Sequence, residues 1–283
     1  MSDDLDLDHD DALDPVPPAL LRSGPRRRRF RNVVPLRIVL PNLITLLSLC
    51  LGLTAIRYAT EGHFERAVFF IVAAAVFDGV DGRLARALKG TTRFGAELDS
   101  LADFVDFGVA PALTLYFWNM HEFKSFGWFA AMVFAIAMAL RLARFNARLD
   151  DPDKPAWASN FFTGMPAPAG AITALLPLYL HLSALGWVFE RWAVALEIAY
   201  LLGIAALMAS TIPHFSGKSI RVPREQVIPV LFGVAVFVLL LATFPMEVLA
   251  GVVILFLALI PFSVRSYRRY VRRDAGRAQT PAA

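Results

Sequence analysis

The sequence has little cysteine and little charge. Cys50 is the single cysteine in 283 residues, which excludes an internal disulfide and a thiolate-built metal site. It lies in an apolar run and reads as a small buried hydrophobe. Charged residues make up 18% of the chain and hydrophobic residues 57%, whereas soluble domains carry about 25% charge and about 45–50% apolar residues. The charge collects at the ends and in a few loops. Histidine is also scarce, and His214 in "STIPHFSGKSI" reads as a solvated loop residue. These shortages leave long apolar runs, the composition of an integral membrane protein.

The runs are preceded by two contrasting blocks within residues 1–32. "MSDDLDLDHDDALD" is acidic and poor in core-forming residues, and reads as disordered. "RSGPRRRRFR" is a basic run, suited to anchoring the first span or meeting anionic lipid. The first apolar segment begins too late and runs too long for a cleavable signal peptide. Residues 33–267 read as a membrane domain and 268–283 as a basic tail.

A membrane-crossing helix needs about 20 mostly apolar residues. Candidates occupy 38–59, 64–87, 96–118, 125–147, 164–185, 191–211, 227–243 and 246–266, which predicts an all-α, polytopic bundle of about eight transmembrane helices. Pro166 and Pro168 fall in the first turn of the fifth span, where a helix tolerates them. With the N-terminus cytoplasmic, the inside loops collect Arg83, Arg86, Lys89 and Arg93, then Arg141, Arg144, Arg148 and Lys154, then Lys218, Arg221 and Arg224. The other side keeps Arg57, Arg66, Lys124 and Arg191. This asymmetry predicts both termini on the cytoplasmic side of the cell (inner) membrane.

Against that background, "FDGVDGRLARALKGTTRFGAELDSLADFVDFG" (Phe77–Gly108) is unexpected, because it holds Asp78, Asp81, Asp99, Asp103 and Asp106. A carboxylate at the centre of a bilayer costs roughly 2.5–3.5 kcal/mol on insertion scales. A short loop joins the second and third spans into an antiparallel hairpin. Folding it about residue 90 brings Asp81 level with Asp99 and Asp78 level with Asp103, at 1.5 Å rise per residue. Spacings of i,i+3 and i,i+4 place each pair on one helix face. Four converging carboxylates need positive charge among them, and all-oxygen ligands favour Mg²⁺ or Mn²⁺. Two ions sharing bridging carboxylates would suit phosphoryl displacement. Gly79, Gly82, Ala85 and Gly95 allow close approach of helices or a bulky ligand, and Arg83 and Arg86 offer guanidinium forks for phosphate oxygens. The other readings are that the acids pair with Arg83, Arg86 or Arg93 for assembly, or that they line an ion path.

"DGVDGRLARALKGTTRFGAELDSLAD" resembles, without a gap, the signature D-x2-D-G-x2-A-R-x8-G-x3-D-x3-D of the CDP-alcohol phosphatidyltransferase family. The matching positions are Asp78, Asp81, Gly82, Ala85, Arg86, Gly95, Asp99 and Asp103. The resemblance implies that family's fold, usually as a homodimer, with a cavity open to the cytoplasm. It implies two metal ions on Asp78, Asp81, Asp99 and Asp103, with Asp103 as general base. It also implies a cradle for the cytidine diphosphate at Asp81, Gly82, Ala85, Arg86 and Gly95. Asp106 lies outside the signature and reads as a solvated or hydrogen-bonded cavity wall.

"PNLITLLSLCLGLTAI", "GAELDSLADFVDFGVAPA", "RLARFN" and "FTGMPAPAGA" look like the corresponding pieces of bacterial membrane-embedded phosphatidylserine synthases. In those enzymes a serine or another small residue is expected where Asp106 stands. This resemblance implies transfer of the phosphatidyl group from CDP-diacylglycerol to L-serine, giving phosphatidylserine and CMP. A zwitterionic acceptor needs a cation for its carboxylate. Arg141 and Arg144, i,i+3 at the end of the fourth span, suit that role or the lipid phosphate, or serve as positive anchors of the span. Asn42 and Thr45, i,i+3 in the first span, resemble the family's diphosphate-side contacts, or bond between helices. Another acceptor (glycerol 3-phosphate, an inositol phosphate or choline) remains open. So do an intramembrane prenyltransferase and a cation transporter, although the later spans carry one acid, Glu197. Membrane lipids are expected partners; nucleic acid is not.

Overall fold

The computed structural model describes residues 36–147, 161–184, 191–215 and 223–278. The expected tail blocks within 1–32, and Arg148, Lys154, Lys218 and Arg221, lie outside the described residues. The helices are α1 (Leu36–Thr60), α2 (Phe64–Ala87), α3 (Arg93–Asp103), α4 (Ala110–Trp118), α5 (Lys124–Ala147), α6 (Ala167–Ala174), α7 (Leu176–Leu182), α8 (Arg191–Ala209), α9 (Val227–Thr243) and α10 (Pro245–Ala278). A π-helical turn, Phe104–Val109, joins α3 to α4. Two three-residue strands, β1 (Phe161–Thr163) and β2 (Pro213–Phe215), pair antiparallel with Phe162 opposite His214. The expected loop around His214 therefore has a strand in its backbone.

Four stretches are long and apolar enough to cross a membrane: Leu36–Thr60, Arg93–Trp118, Met120–Ala147 and Pro245–Tyr267. Ala193–Ala209 and Val227–Thr243 are shorter apolar helices. The 24-residue α2 has the length but carries the acids. The expected fifth span is broken at Leu175 into α6 and α7. Pro177, in the first turn of α7, lacks the N–H that a continuous helix would need there. At the other extreme, α10 continues as helix well into the expected tail.

Small residues set how closely these helices pack. Ala55, Ala67, Ala74, Ala110, Ala130 and Ala171 are fully buried, so neighbouring backbones approach closely, as in membrane bundles. Phe107, Phe134, Met138, Leu178 and Tyr179 fill the larger spaces. Phe69, Phe94, Phe126 and Ile228 point outward, each at least 66% exposed, as on a lipid-facing surface. Cys50 is among the outward-facing residues of α1, not in the core as its apolar surroundings suggested.

The turn between α2 and α3 fixes the hairpin. Lys89 takes a left-handed conformation (φ 50°); its N–H donates to the Arg86 carbonyl and that of Gly90 to Ala85, a Schellman ending. Pro41 cannot donate to the Arg37 carbonyl, and Gly90 packs against that carbonyl with no room for a side chain. Thr92 then starts α3, accepting a 3.0 Å bond from the Gly95 N–H. α1 packs along α2 and also touches α3, the π turn and α4, so it backs the whole acidic segment.

Candidate active site

The hairpin brings three of its acids together. Asp78, Asp99 and Asp103 each offer a carboxylate oxygen, and these lie within 4.8 Å of one another. Asp81 is set differently: Thr45 of α1 donates a 2.7 Å hydrogen bond to its Oδ2, while its Oδ1 is buried with no partner. Asp81 and Asp99 lie roughly 9 Å from the ends of their helices, and Asp78 and Asp103 roughly 14 Å, by rise per residue. The acids thus form two layers at matching depths.

Among the described residues the one ion pair is Arg57–Glu61, at the opposite end of α1. None of Arg83, Arg86, Arg93 or Arg141 reaches ion-pair distance of these acids. Three carboxylates this close together with no guanidinium at ion-pair distance, and Asp81 one turn along α2 with an orphaned buried oxygen, are the donor set of a hard divalent ion. The residues present therefore fit such a metal, and pairing with arginines for assembly does not explain them.

Above the acids opens a cavity of about 350 Å³, lined among others by Asn42, Thr45, Asp81, Gly82, Arg86 and Gly95. Ala85 and Asp99 are in the same wall. Every position expected to cradle the cytidine diphosphate is thus in one pocket, together with both α1 residues. Each small residue keeps a definite space clear. A Cβ at Gly95 would lie 2.8 Å from Asn42 Oδ1, whereas one at Gly82 would meet only Arg86 at 3.9 Å and project into the cavity.

Arg141 and Arg144 part company. Arg141 donates from Nε to the Met165 carbonyl at 2.6 Å, its Nη1 is buried without a partner, and its charge acts on Asp78 and Asp103. Arg144 donates from Nη1 to the Ala209 carbonyl at 2.7 Å, neutralising the carbonyl end of α8. Arg141 therefore belongs with the acids and Arg144 with the α8–β2 junction.

Asp106 is fully buried rather than solvated. Ser48 Oγ lies 2.8 Å from its Oδ2 and 2.9 Å from the Ala74 carbonyl, so one hydroxyl links α1, α2 and the π turn. Asp106 Oδ1 abuts Gly52, where a side chain would collide with it. Sequence reasoning missed Ser48, although Asn42, Thr45 and Ser48 fall at successive i,i+3 steps on one face of α1. It also missed Asn146, whose Nδ2 donates to Ser100 Oγ at 2.8 Å and ties α5 to α3 beside Asp99.

A family model, described as CDP-alcohol phosphatidyltransferase, matches residues 38–203. The chain belongs to the CDP-alcohol phosphatidyltransferase family. It is 40% identical to a CDP-diacylglycerol–serine O-phosphatidyltransferase of Mycobacterium leprae, over 88% of this chain and 80% of that one. A protein of the same description from Mycobacterium tuberculosis is also 40% identical, over 86% and 83%. One from Helicobacter pylori is 35% identical, over 74% and 84%. The family's matched stretch contains the acids, the cradle, Asn42, Thr45, Arg141 and Arg144, and it ends within α8.

Proposed function

We propose that this chain transfers the phosphatidyl group of CDP-diacylglycerol to the hydroxyl of L-serine, forming phosphatidylserine and releasing CMP. The observation that carries the reading is the convergence of Asp78, Asp99 and Asp103 beneath a pocket walled by Gly82, Ala85, Arg86 and Gly95. The relatives' descriptions support serine as the acceptor.

Asp78, Asp81, Asp99 and Asp103 would hold two Mg²⁺ or Mn²⁺ ions. Such ions neutralise the diphosphate and stabilise charge on phosphorus and the departing CMP. Asp103, at the deeper layer, takes the proton from the serine hydroxyl as its oxygen attacks the phosphorus attached to diacylglycerol. The new P–O bond forms as the bond to the CMP oxygen breaks, and CMP leaves with that electron pair. Gly82, Ala85 and Gly95 leave room for the cytidine diphosphate, with Arg86 and Asn42 at its rim. Thr45 fixes Asp81 in the wall. Arg141, with an unpartnered buried N–H, binds the serine carboxylate or the lipid phosphate.

The membrane setting supports eight crossings, with α2 and the α6–α7 pair completing the set. The Lys and Arg distribution supports cytoplasmic termini and a site opening to the cytoplasmic face of the inner membrane, where serine is available. Residues 33–267 act as the catalytic domain, in a homodimer. The test is an acceptor panel: solubilised enzyme with CDP-diacylglycerol, Mn²⁺ and labelled serine, glycerol 3-phosphate, inositol phosphate or choline. Label entering lipid from serine supports the reading, and label entering from another acceptor but not serine overturns it.

A further inference from the structure

A second cavity, of about 680 Å³, runs along α2 on the side away from the carboxylates. Glu65, Phe69, Val72 and Val76 recur at steps of three and four and line it from one face of α2. Asp78, two residues beyond Val76, projects from the opposite face. The cavity shares no lining residue with the carboxylate pocket. Val238, Leu241 and Ala242 of α9 form its outer wall, in a helix that buries none of its own residues.

This slot is polar at one end only. Glu65 and Glu247 stand there, with Glu247 Oε1 accepting a 2.8 Å bond from the Ala184 N–H. At the same end a smaller polar cavity, of about 330 Å³, opens around Gly62, His63, Glu65 and Arg66. Glu65 and Leu182 line both spaces, so the slot and the polar cavity meet at the turn between α1 and α2. The Tyr58 ring flanks the donors of the polar cavity. The Arg66 guanidinium lies 5.5 Å from its centroid and the His63 ring 6.2 Å from it. Neither Arg66 nor Glu65 belongs to the one ion pair among the described residues, Arg57–Glu61.

The joined spaces have the outline and charge of a phospholipid. An arginine fork suits phosphate oxygens, and a carboxylate beside it suits an ammonium group. From Glu65 to Phe77 α2 advances roughly 18 Å at 1.5 Å per residue, against about 15 Å for half of the hydrocarbon core. A chain entering from the polar cavity would therefore reach the membrane midplane within the slot. Arg66 and Asp78 are also roughly 18 Å apart along α2, so a headgroup here is distinct from a donor held by the carboxylates.

We propose that the joined cavities hold a phospholipid with a phosphoethanolamine headgroup, drawn from the leaflet opposite the active site. Its phosphate meets Arg66 and His63, its amine meets Glu65, and one acyl chain fills the slot between α2 and α9. The chain covers apolar side chains of α9 that the protein leaves bare, so the lipid holds the α9–α10 hairpin against α2. Charges of both signs at one end of an apolar slot favour this occupant over a helix from a second copy.

The test is native mass spectrometry of the full chain, solubilised, stripped of lipid and titrated with dioleoyl phosphatidylethanolamine or dioleoyl phosphatidylglycerol. It requires no turnover, so its outcome is independent of the functional reading. The expected result is one phosphatidylethanolamine retained per chain, with a Kd several-fold below that for phosphatidylglycerol. Glu65→Gln should erase that preference. Arg66→Gln should raise Kd for both lipids about tenfold or more, the loss expected for a hydrogen bond to a charged group. Ala242→Trp should also raise both about tenfold or more, since each methylene displaced from an apolar site is worth about fourfold. Val238→Trp fills the slot from the same wall should Ala242→Trp fail to fold. Ile136→Trp, on α5 and lining neither cavity, is the control and should bind as the unsubstituted chain does. No retained lipid, equal affinity of the unsubstituted chain for the two lipids, or equal losses in the control would overturn the proposal. Unchanged binding in both Arg66→Gln and the slot variants would do so too. A slot variant that loses oligomeric mass while keeping its lipid would assign the slot to a second copy, and would equally overturn it.

Discussion

Arg141 and Arg144 lie one turn apart on α5, yet their guanidinium groups serve different structures. Arg141 bonds the Met165 carbonyl and keeps Nη1 buried and unpartnered, whereas Arg144 bonds the Ala209 carbonyl at the end of α8. Arg141→Gln should raise the KM for serine about tenfold or more, since a hydrogen bond to a charged group contributes about 1.5–3 kcal/mol. Arg144→Gln should lower stability by about 1–2 kcal/mol and leave that KM within about twofold. Steady-state kinetics and thermal melting of the two variants check the division.

Thr45 is the α1 side chain that holds Asp81. Thr45→Val removes the donor and leaves Asp81 Oδ2 unpaired and buried, at a cost of about 1–3 kcal/mol. Transfer activity should fall, and Thr45→Ser, which restores the hydroxyl, should recover most of it. Manganese titrations of activity across the three proteins measure how far Asp81 positioning supports the metal site.

Gly82 and Gly95 should fail differently when changed to alanine. Gly82→Ala has room in the fold, so the melting temperature should hold while the KM for CDP-diacylglycerol rises as the cavity narrows. Gly95→Ala meets Asn42 Oδ1 at 2.8 Å, so both stability and activity should drop. Melting curves alongside donor kinetics separate the two.

Gly52→Ala drives a methyl group into Asp106, and overpacking of this kind costs about 1–3 kcal/mol. Asp106→Ser shortens the side chain, so the double variant should recover stability that the single Gly52 variant loses. A double-mutant cycle on melting free energies measures that coupling.

The carboxylate hairpin was legible because its geometry is local: helical rise and a short turn are enough to place the acids at matching depths. The cradle positions were expected only from the resemblance to the family signature, and one pocket is lined by all of them. What stayed hidden depends on contacts distant in the chain. Ser48 meets Asp106 across 58 positions, and no period in either segment announces it. The i,i+3 spacing of Arg141 and Arg144 placed them on one face, but their separate acceptors lie in the loop before α6 and at the end of α8. The break at Leu175 follows Pro177, which counting apolar residues passes over, and no local pattern announces the π turn after Asp103. The bond from Thr45 that orients Asp81 is likewise a contact across 36 positions; it occupies Oδ2 and leaves the buried Oδ1 without a partner.

Asp103→Asn keeps the size of the side chain and removes its ability to accept the serine proton. The variant should fold and bind CDP-diacylglycerol, with turnover lower by about 10²–10⁴-fold, the range of general-base contributions. Full turnover in this variant would remove Asp103 from that role.

Under the proposed function, the carboxylates of the α2–α3 hairpin bind the divalent ions needed for transfer to serine. The most direct measurement follows labelled serine into lipid by the purified, solubilised enzyme, first with chelator and then with Mn²⁺ or Mg²⁺ restored. The expected result is CDP-diacylglycerol-dependent labelling that disappears with chelator, returns with metal, and is absent at any metal concentration in Asp99→Asn. Labelling that persists in chelator, or that Asp99→Asn supports at the unsubstituted rate, would contradict it.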